Sequence, residues 1–260
     1  DYISGGADSD VIQGGEGDDN VSAGGGNDDV RGNAGDDFLK GQSGDDRLRG
    51  DDGDDVIYGG AGDDLIEGGA GKDLLVGGVG DDRYVVTDVA ANIKEVNVGG
   101  GYDVVLVQTS GYRAAYNVEE VRLDIAEGGI LYGGLYGDNL FGGAGDDIVK
   151  GRGDNDRISG EAGNDVLLGQ NGYDTLFGEG GDDILIGGAG RDNLYGGAGI
   201  DSFIIEVGGD LDRVRDFTLG EDLLDVRAFD LPDFAGLQAL KSDRSSGDAQ
   251  VEFGDGDKRR

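Results

Sequence analysis

The sequence predicts an all-β protein, a parallel β-roll in which short strands and tight turns coil into a solenoid. Three observations predict this fold. Seventeen nine-residue units of the form G-G-x-G-x-D-x-U-x, where U is a large apolar residue, fill 153 of the 260 positions. Position six is Asp in every unit, and position eight is apolar in every unit. An acid and a hydrophobe two residues apart, repeated at a fixed period, indicate one structural unit stacked on itself.

The units form two blocks in unbroken register, nine from Gly5 to Val85 and eight from Gly133 to Ile204. The first six residues of a unit are too rich in glycine for a helix and predict a tight turn with positive φ. The last three, such as Val56-Ile57-Tyr58, predict a very short strand. Two units then make one coil, and the position-eight residues lie between two parallel sheets.

We divide the chain into four segments: a first block over 1–85, an irregular β spacer over 86–132, a second block over 133–204, and a truncated C-terminal cap over 205–260. The β-branched content of 86–132 favours a continuation of the solenoid over a flexible linker. A cap is expected because repeat arrays must cover their last apolar layer. The strands expected in the spacer and cap are Ile93–Val96, Tyr102–Thr109, Val118–Ile125, Arg213–Phe217, Leu223–Val226 and Ala249–Phe253, with a helix from Pro232 to Lys241.

Composition excludes several classes of function. The formal net charge of −35 leaves no basic face for nucleic acid. No apolar run approaches the ~20 residues that span a membrane. Because histidine and cysteine are both absent, zinc-protease, Ser-His-Asp and thiol chemistry are excluded. A carboxylate pair could hydrolyse glycosides, but nearly all acids lie in repeat turns that metal binding explains better. We therefore expect no enzyme within this chain.

The acidic repeats require a cation. Stacking brings position-six carboxylates of successive coils to about 5 Å, where they repel by roughly 3 kcal/mol per pair. Oxygen-only ligands without His or Cys select a hard ion of high coordination number, and Ca²⁺ fits better than Mg²⁺. If one ion lies between each nonapeptide and the second nonapeptide after it, the chain binds about a dozen Ca²⁺. These ions would cancel most of the negative charge.

The metal ligands that we predict are the position-six aspartates: Asp10, Asp19, Asp28, Asp37, Asp46, Asp55, Asp64, Asp73, Asp82, Asp138, Asp147, Asp156, Asp165, Asp174, Asp183, Asp192 and Asp201. A solvated acidic face would explain one such pair but not seventeen in register. Position five is more variable, and its acids and amides are auxiliary candidates: Asp18, Asn27, Asp36, Asp45, Asp54, Asp63, Asp81, Asp146, Asn155, Asn164 and Asp182. We expect the poorest sites where position four is not glycine, at Asp8, Tyr136 and Asp154.

These repeats resemble the repeats-in-toxin family, the haemolysin-type calcium-binding repeats of Gram-negative secreted proteins. The spacer motif Gly101-Tyr102-Asp103-Val104-Val105 is similar to family spacers. The tail, with Asp212-Arg213-Val214-Arg215-Asp216-Phe217, is similar to the cap of serralysin-type proteases and alginate epimerases. The resemblance implies type I export in an unfolded state and folding in extracellular calcium. The family usually continues beyond the point where Lys258-Arg259-Arg260 ends this sequence, into an export signal.

Three functional hypotheses follow. The first is a non-enzymatic, calcium-folded extracellular module in the C-terminal part of a larger secreted protein, since the sequence opens at Asp1 without Met. The second is a structural segment of a surface-layer or adhesin protein that contacts polysaccharide or copies of itself. The third is an accessory module of a secreted protease, lipase or polysaccharide epimerase whose active site lies outside this chain.

Overall fold

The computed structural model describes residues 1–95, 101–206, 212–226, 240–242 and 249–252. Over these ranges the chain is all-β and contains no helix. It divides into two compact units, Asp1–Arg122 and Leu123–Arg260. Across the same described part of the chain, no helix is long and apolar enough to cross a membrane.

The first unit contains the strands of the first block and of most of the spacer. They are β1 Tyr2–Gly6, β2 Val11–Glu16, β3 Asn20–Gly25, β4 Asp29–Ala34, β5 Phe38–Ser43, β6 Arg47–Asp52, β7 Val56–Ala61, β8 Leu65–Ala70, β9 Leu74–Val79, β10 Arg83–Val86, β11 Asn92–Ile93, β12 Val104–Val107 and β13 Tyr112–Arg113, with β14 Glu120–Leu123 at its end. The odd strands β1-β3-β5-β7-β9-β11 form one sheet in that order, and β2-β4-β6-β8-β10-β12 are consecutive neighbours in another.

The second unit repeats this arrangement. Its strands are β15 Ile130–Tyr132, β16 Asn139–Ala144, β17 Ile148–Arg152, β18 Arg157–Ala162, β19 Val166–Asn171, β20 Thr175–Gly180, β21 Ile184–Ala189, β22 Asn193–Ala198, β23 Ser202–Ile204, β24 Arg213–Val214, β25 Leu223–Asp225, β26 Leu240–Ser242 and β27 Ala249–Glu252. Here β15-β17-β19-β21-β23-β25 are neighbours in one sheet and β16-β18-β20-β22-β24-β27-β26 in the other.

The strand register confirms the prediction that two nonapeptides make one coil of the solenoid. Val56 lies opposite Leu74 in parallel pairing, an offset of eighteen residues, and the same offset recurs through both blocks. Alternate nonapeptides therefore belong to opposite sheets, and each nonapeptide stacks on the next but one. All turns that follow the strands of one sheet consequently lie along one edge of the solenoid.

The strands are longer than the sequence pattern predicts. Strand β7 covers positions seven to nine of one unit and continues through positions one to three of the next. The second and third residues of the glycine-rich segment join the ladder, since Gly60 pairs with Gly78 and Ala61 with Val79, whereas Gly59 at position one has no partner in the register. Only positions four to six form the turn. The three-residue strand prediction was wrong because backbone hydrogen bonds to the adjacent coil do not depend on side chains.

The core is the predicted seam of position-eight side chains. All seventeen are buried, and sixteen of them, from Val21 to Phe203, are completely inaccessible to solvent; Ile12 in the first unit of the array is 7% exposed. Neighbouring strand positions face outward, as Val11 and Tyr58 do. The alternation that a strand imposes on its side chains therefore selects one buried large apolar side chain per nonapeptide.

Outside the blocks, the expected strands are present but shorter. Strand β12 (Val104–Val107) pairs in parallel with β10, so the ladder persists past the last repeat of the first block. Strand β24 ends at Val214 and β25 at Asp225, whereas β27 begins at Ala249 as expected. The predicted helix falls mainly on 232–239, outside the described residues. Its expected end at Lys241 is wrong, because β26 (Leu240–Ser242) pairs with β27 in antiparallel orientation.

Candidate metal centre

The position-six aspartates are the most buried charged groups of the two blocks. Sixteen are buried, although carboxylates are seldom buried without a partner, and Asp10 at the start is half-buried. Each is the last residue of a turn and directly precedes a strand, so the register of the sheets stacks them one above another at the two edges of each solenoid. Asp55, Asp165, Asp174 and Asp183 are completely inaccessible.

One oxygen of each stacked carboxylate belongs to a backbone ladder. The N–H of Asp46 donates to Oδ1 of Asp64, one coil further along, at 2.8 Å. The same bond joins thirteen pairs of position-six aspartates, seven in the first block and six in the second. This bond orients the carboxylate and leaves only Oδ2 for other contacts.

The second oxygen, Oδ2, is buried and accepts no hydrogen bond within the described part of the protein at fourteen of these residues: Asp19, Asp28, Asp37, Asp46, Asp55, Asp64, Asp73, Asp82, Asp147, Asp156, Asp165, Asp174, Asp183 and Asp192. A buried polar atom without a partner costs about 1–3 kcal/mol, and more when it is charged. Fourteen such oxygens in one fold indicate a ligand that the protein itself does not supply.

The glycine at position one shapes the space around Oδ2. A methyl group on Gly14 would lie 2.5 Å from Oδ2 of Asp19 and 2.8 Å from the carbonyl oxygen of Gly32 in the next coil. The same two kinds of oxygen surround most position-one glycines in both blocks. The missing side chain therefore lets a carboxylate oxygen and a carbonyl oxygen approach the same point, where they repel unless a cation lies between them.

Burial dominates the acid–base properties of these carboxylates. It raises the pKa of Asp55, Asp64, Asp82 and Asp183 to about 7, and that of Asp156 to about 8. The N–H bond to Oδ1 lowers the pKa and opposes this shift in part, while neighbouring carboxylates in the stack raise it further. Without a cation, the folded protein holds its aspartates in an environment that disfavours their charge.

This environment predicts a pH dependence of the calcium-free protein. The pKa of these carboxyl groups is about 7 in the folded state, against 3.8 for the ordinary side chain. The folded state therefore binds more protons than the unfolded state between pH 3.8 and about 7. The calcium-free fold is therefore least stable above pH about 7 and gains stability as the pH falls towards about 4. We expect chelated protein to be unfolded at pH about 8 and to gain parallel-β circular dichroism on acidification.

Calcium-saturated protein is the control for this titration, since bound carboxylates are already ionised and its spectrum should stay constant from about pH 8 to 6. Sedimentation velocity at each pH separates folding from aggregation near the isoelectric point of 4.1. A chelated chain that remains a coil and monomeric at pH about 5 would contradict the prediction.

Position five has a different role from position six. All eleven auxiliary candidates accept a backbone N–H from the coil that follows, as when Asp81 donates to Oδ1 of Asp63 at 2.9 Å. An amide oxygen serves this purpose equally well, and Tyr173 donates to Oδ1 of Asn155 at 2.7 Å. These side chains lie at the exposed rim of the turn. A simple acceptor is sufficient there, which explains why both Asp and Asn occur at position five.

Three aspartates outside the repeats extend the position-six stacks, and sequence reasoning did not identify them as site residues. Asp82 donates its N–H to Oδ1 of Asp103, Asp192 to Oδ1 of Asp212, and Asp201 to Oδ1 of Asp222. Their spacings are 21, 20 and 21 residues instead of eighteen, so they fall outside the nonapeptide register. The available signal was the local pattern of an acid followed two residues later by an apolar residue.

The donor set fits a hard divalent cation. Each edge offers ionisable carboxylate oxygens, backbone carbonyl oxygens and turn geometry, without nitrogen or sulfur ligands. The turns adopt the left-handed region at position four, where most glycines have φ between 94° and 142° and Asp154 has φ 65°. Flexible glycine turns with oxygen ligands match the variable coordination of Ca²⁺ better than the strict octahedron of Mg²⁺.

Comparison with known families agrees with this chemistry. A family model for the RTX calcium-binding nonapeptide repeat matches residues 1–84 and 132–203 in six segments, which together cover more than half of the chain. The matched ranges coincide with the two blocks of buried aspartates. A search of curated proteins finds no match to the sequence.

Proposed function

The chain belongs to the family of RTX calcium-binding nonapeptide repeats, and from this premise we propose that it is a calcium-folded extracellular module of a larger secreted protein. Calcium-triggered folding after type I export would be its role, in support of the segments that precede it. About a dozen ions, held by the seventeen position-six aspartates and by backbone carbonyls of the turns, would complete the fold.

The observation that carries this proposal is the set of fourteen buried Oδ2 atoms without a hydrogen-bond partner. At low calcium these charges oppose folding, because burial of an unpaired carboxylate is unfavourable. At high calcium, binding to the folded state alone stabilises it by mass action. Coupling of metal binding to folding converts a change in calcium concentration into a change of state, which suits a chain exported unfolded and folded outside the cell.

Circular dichroism during a calcium titration tests the proposal. In chelator near neutral pH we expect a random-coil spectrum, and in millimolar calcium a cooperative transition to a β spectrum. Magnesium at the same concentration is the control, and it should restore little of the signal because it keeps its waters and requires an octahedron. A β spectrum that is insensitive to chelator would overturn the proposal.

A second candidate, contact with polysaccharide, is favoured by a pair of aromatic side chains, of which Tyr58 is exposed and Phe38 is half-buried. Phe38 and Tyr58 lie 5.8 Å apart beside a groove of about 350 Å³, which Lys40 and Gln42 also line. Aromatic faces next to polar groups suit stacking on sugar rings. Calcium-dependent retention on alginate that Tyr58→Ala abolishes would support this role, and equal retention of the two proteins would exclude this groove.

A further inference from the structure

A cluster of three carboxylates lies where the first block ends. The last repeat of this block carries Asp82 at position six, and the next acid in its stack is Asp103. Between these two, the chain passes through β11 and reaches Glu95. One carboxylate oxygen from each of Asp82, Glu95 and Asp103 lies within 4.8 Å of the other two.

The interior of this cluster is polar but shielded from water. Asp82 and Asp103 are 1% and 2% exposed, and Glu95 is half-buried. Oδ1 of Asp82 accepts the N–H of Asp64 at 2.9 Å, whereas its Oδ2 is buried without a hydrogen-bond partner in the described structure. A methyl group on Gly77 would contact both this Oδ2 and the hydroxyl of Tyr84, so the unpartnered oxygen faces the side of the cluster where Tyr84 lies.

Tyr84 connects Glu95 to the repeat. It occupies position eight, where every other unit has an aliphatic residue or Phe203, and it is completely buried. Its hydroxyl donates to Oε1 of Glu95, and the N–H of Gly77 donates to the same oxygen at 3.3 Å. A residue from outside the repeats is thus held beside two stacked aspartates by a hydroxyl that no other position-eight residue provides.

We propose that Asp82, Glu95 and Asp103 form a separate calcium site at the point where the first block meets the strands that follow it. This inference rests on the calcium-binding role proposed above, but the ligand set includes two residues, Glu95 and Asp103, from outside the repeats. A repeat site combines aspartates of one stack with backbone carbonyls, whereas this site adds a glutamate from outside the repeats to two aspartates of the stack. Because affinity for a hard cation rises with the number of charged ligands, this site should prefer a trivalent ion.

Tyrosine-sensitised terbium luminescence locates the site, because energy transfer requires a tyrosine close to the ion. We expect the first equivalent of Tb³⁺ added to calcium-saturated protein to displace calcium here and to be sensitised by Tyr84. Tyr84→Phe keeps all three carboxylates and should remove at least half of this first-equivalent emission. Tyr58→Phe, on the outer face of a strand, is the matched control and should leave it unchanged.

Glu95→Gln tests the ligand itself. The amide oxygen still accepts from Tyr84 and Gly77, so the calcium-saturated fold should form, while the affinity for the first Tb³⁺ should fall about tenfold. Glu67→Gln, which alters a glutamate paired with Arg49 at 2.7 Å, is the control and should have wild-type affinity.

The outcomes separate the two proposals. Absence of terbium and calcium binding by the wild-type protein would overturn the calcium-binding function together with this site. Wild-type binding with first-equivalent emission that neither Tyr84→Phe nor Glu95→Gln lowers would overturn this site alone. If Glu95→Gln does not fold in calcium, the result for Tyr84→Phe decides the location, since that variant retains every ligand.

Discussion

Replacement of Asp64 by Asn is expected to lower the stability of the calcium-saturated protein by about 2.7 kcal/mol, the contribution of one site at a hundredfold excess of calcium over its Kd. Asp64 is 2% exposed, and its Oδ1 accepts the N–H of Asp46. The amide oxygen of Asn can keep that hydrogen bond. The amide nitrogen then replaces the unpartnered Oδ2 and presents hydrogens, not a negative charge, to the cation.

The neighbouring substitution Asp63→Asn is the matched control. Asp63 is exposed, and its Oδ1 accepts the N–H of Asp81, an interaction that Asn also makes. Both substitutions remove one charge from the same turn and retain a backbone hydrogen bond. Only the first changes a buried oxygen, so we expect Asp63→Asn to alter the free energy of unfolding by less than about 0.5 kcal/mol.

The sign of the Asp64→Asn effect should reverse in chelator. Burial raises the pKa of Asp64 to about 7, so at pH about 8 the calcium-free fold holds an unfavourable charge that Asn removes. Denaturant unfolding at saturating calcium, together with calcium titrations followed by circular dichroism, measures both effects. Equal losses for the two variants in calcium would show that Oδ2 of Asp64 is not a ligand.

The buried seam and the register of the coil could be predicted from sequence because each depends on one residue type at a fixed period. Position eight is apolar seventeen times, and alternation along a strand requires those side chains to share a face. The orientation of Asp64 could not be predicted in the same way. It depends on an N–H from the coil eighteen residues earlier, which only the folded backbone brings within reach.

Departures from the period explain what sequence reasoning missed. Asp103 joins the stack next to Asp82 after 21 residues instead of eighteen, so a search at the fixed nonapeptide period does not reach it. Backbone pairing also extended the strands into the glycines, as Gly60 opposite Gly78 shows. Side-chain pattern therefore predicts which residues are buried, but backbone geometry decides where a strand ends and which distant acid completes a stack.

Replacement of Gly178 by Ala is the second change expected to have a large effect. Gly178 occupies position one, and a methyl group there would overlap both Oδ2 of Asp183 and the carbonyl oxygen of Gly196. Overpacking of a rigid interior costs about 1–3 kcal/mol, and displacement of the two oxygens should also weaken calcium binding. We expect a lower melting temperature in saturating calcium and a calcium midpoint shifted to higher concentration.

Gly180→Ala, in the same nonapeptide as Gly178, is the control. A methyl group on Gly180 meets only the carbonyl oxygen of Glu161, at 3.7 Å, an ordinary van der Waals contact. Because alanine restricts the unfolded chain, this variant should be unchanged or stabilised by up to about 1 kcal/mol. If both variants lose stability equally, the loss comes from a general effect of replacing glycine by alanine in this strand. The space beside the carboxylate would then not be its cause.

A double-mutant cycle identifies which oxygen the methyl group displaces. Asp183→Ala removes Oδ2 but leaves the carbonyl of Gly196 in place, so the two contacts of the Gly178 methyl are separated. If the carboxylate is the main obstacle, Gly178→Ala should cost less in the Asp183→Ala background, with a coupling energy of about 0.5–3 kcal/mol. Additive effects would mean that the carbonyl alone requires glycine at position one, and that this glycine serves the stacking of coils and not the placement of the ligand.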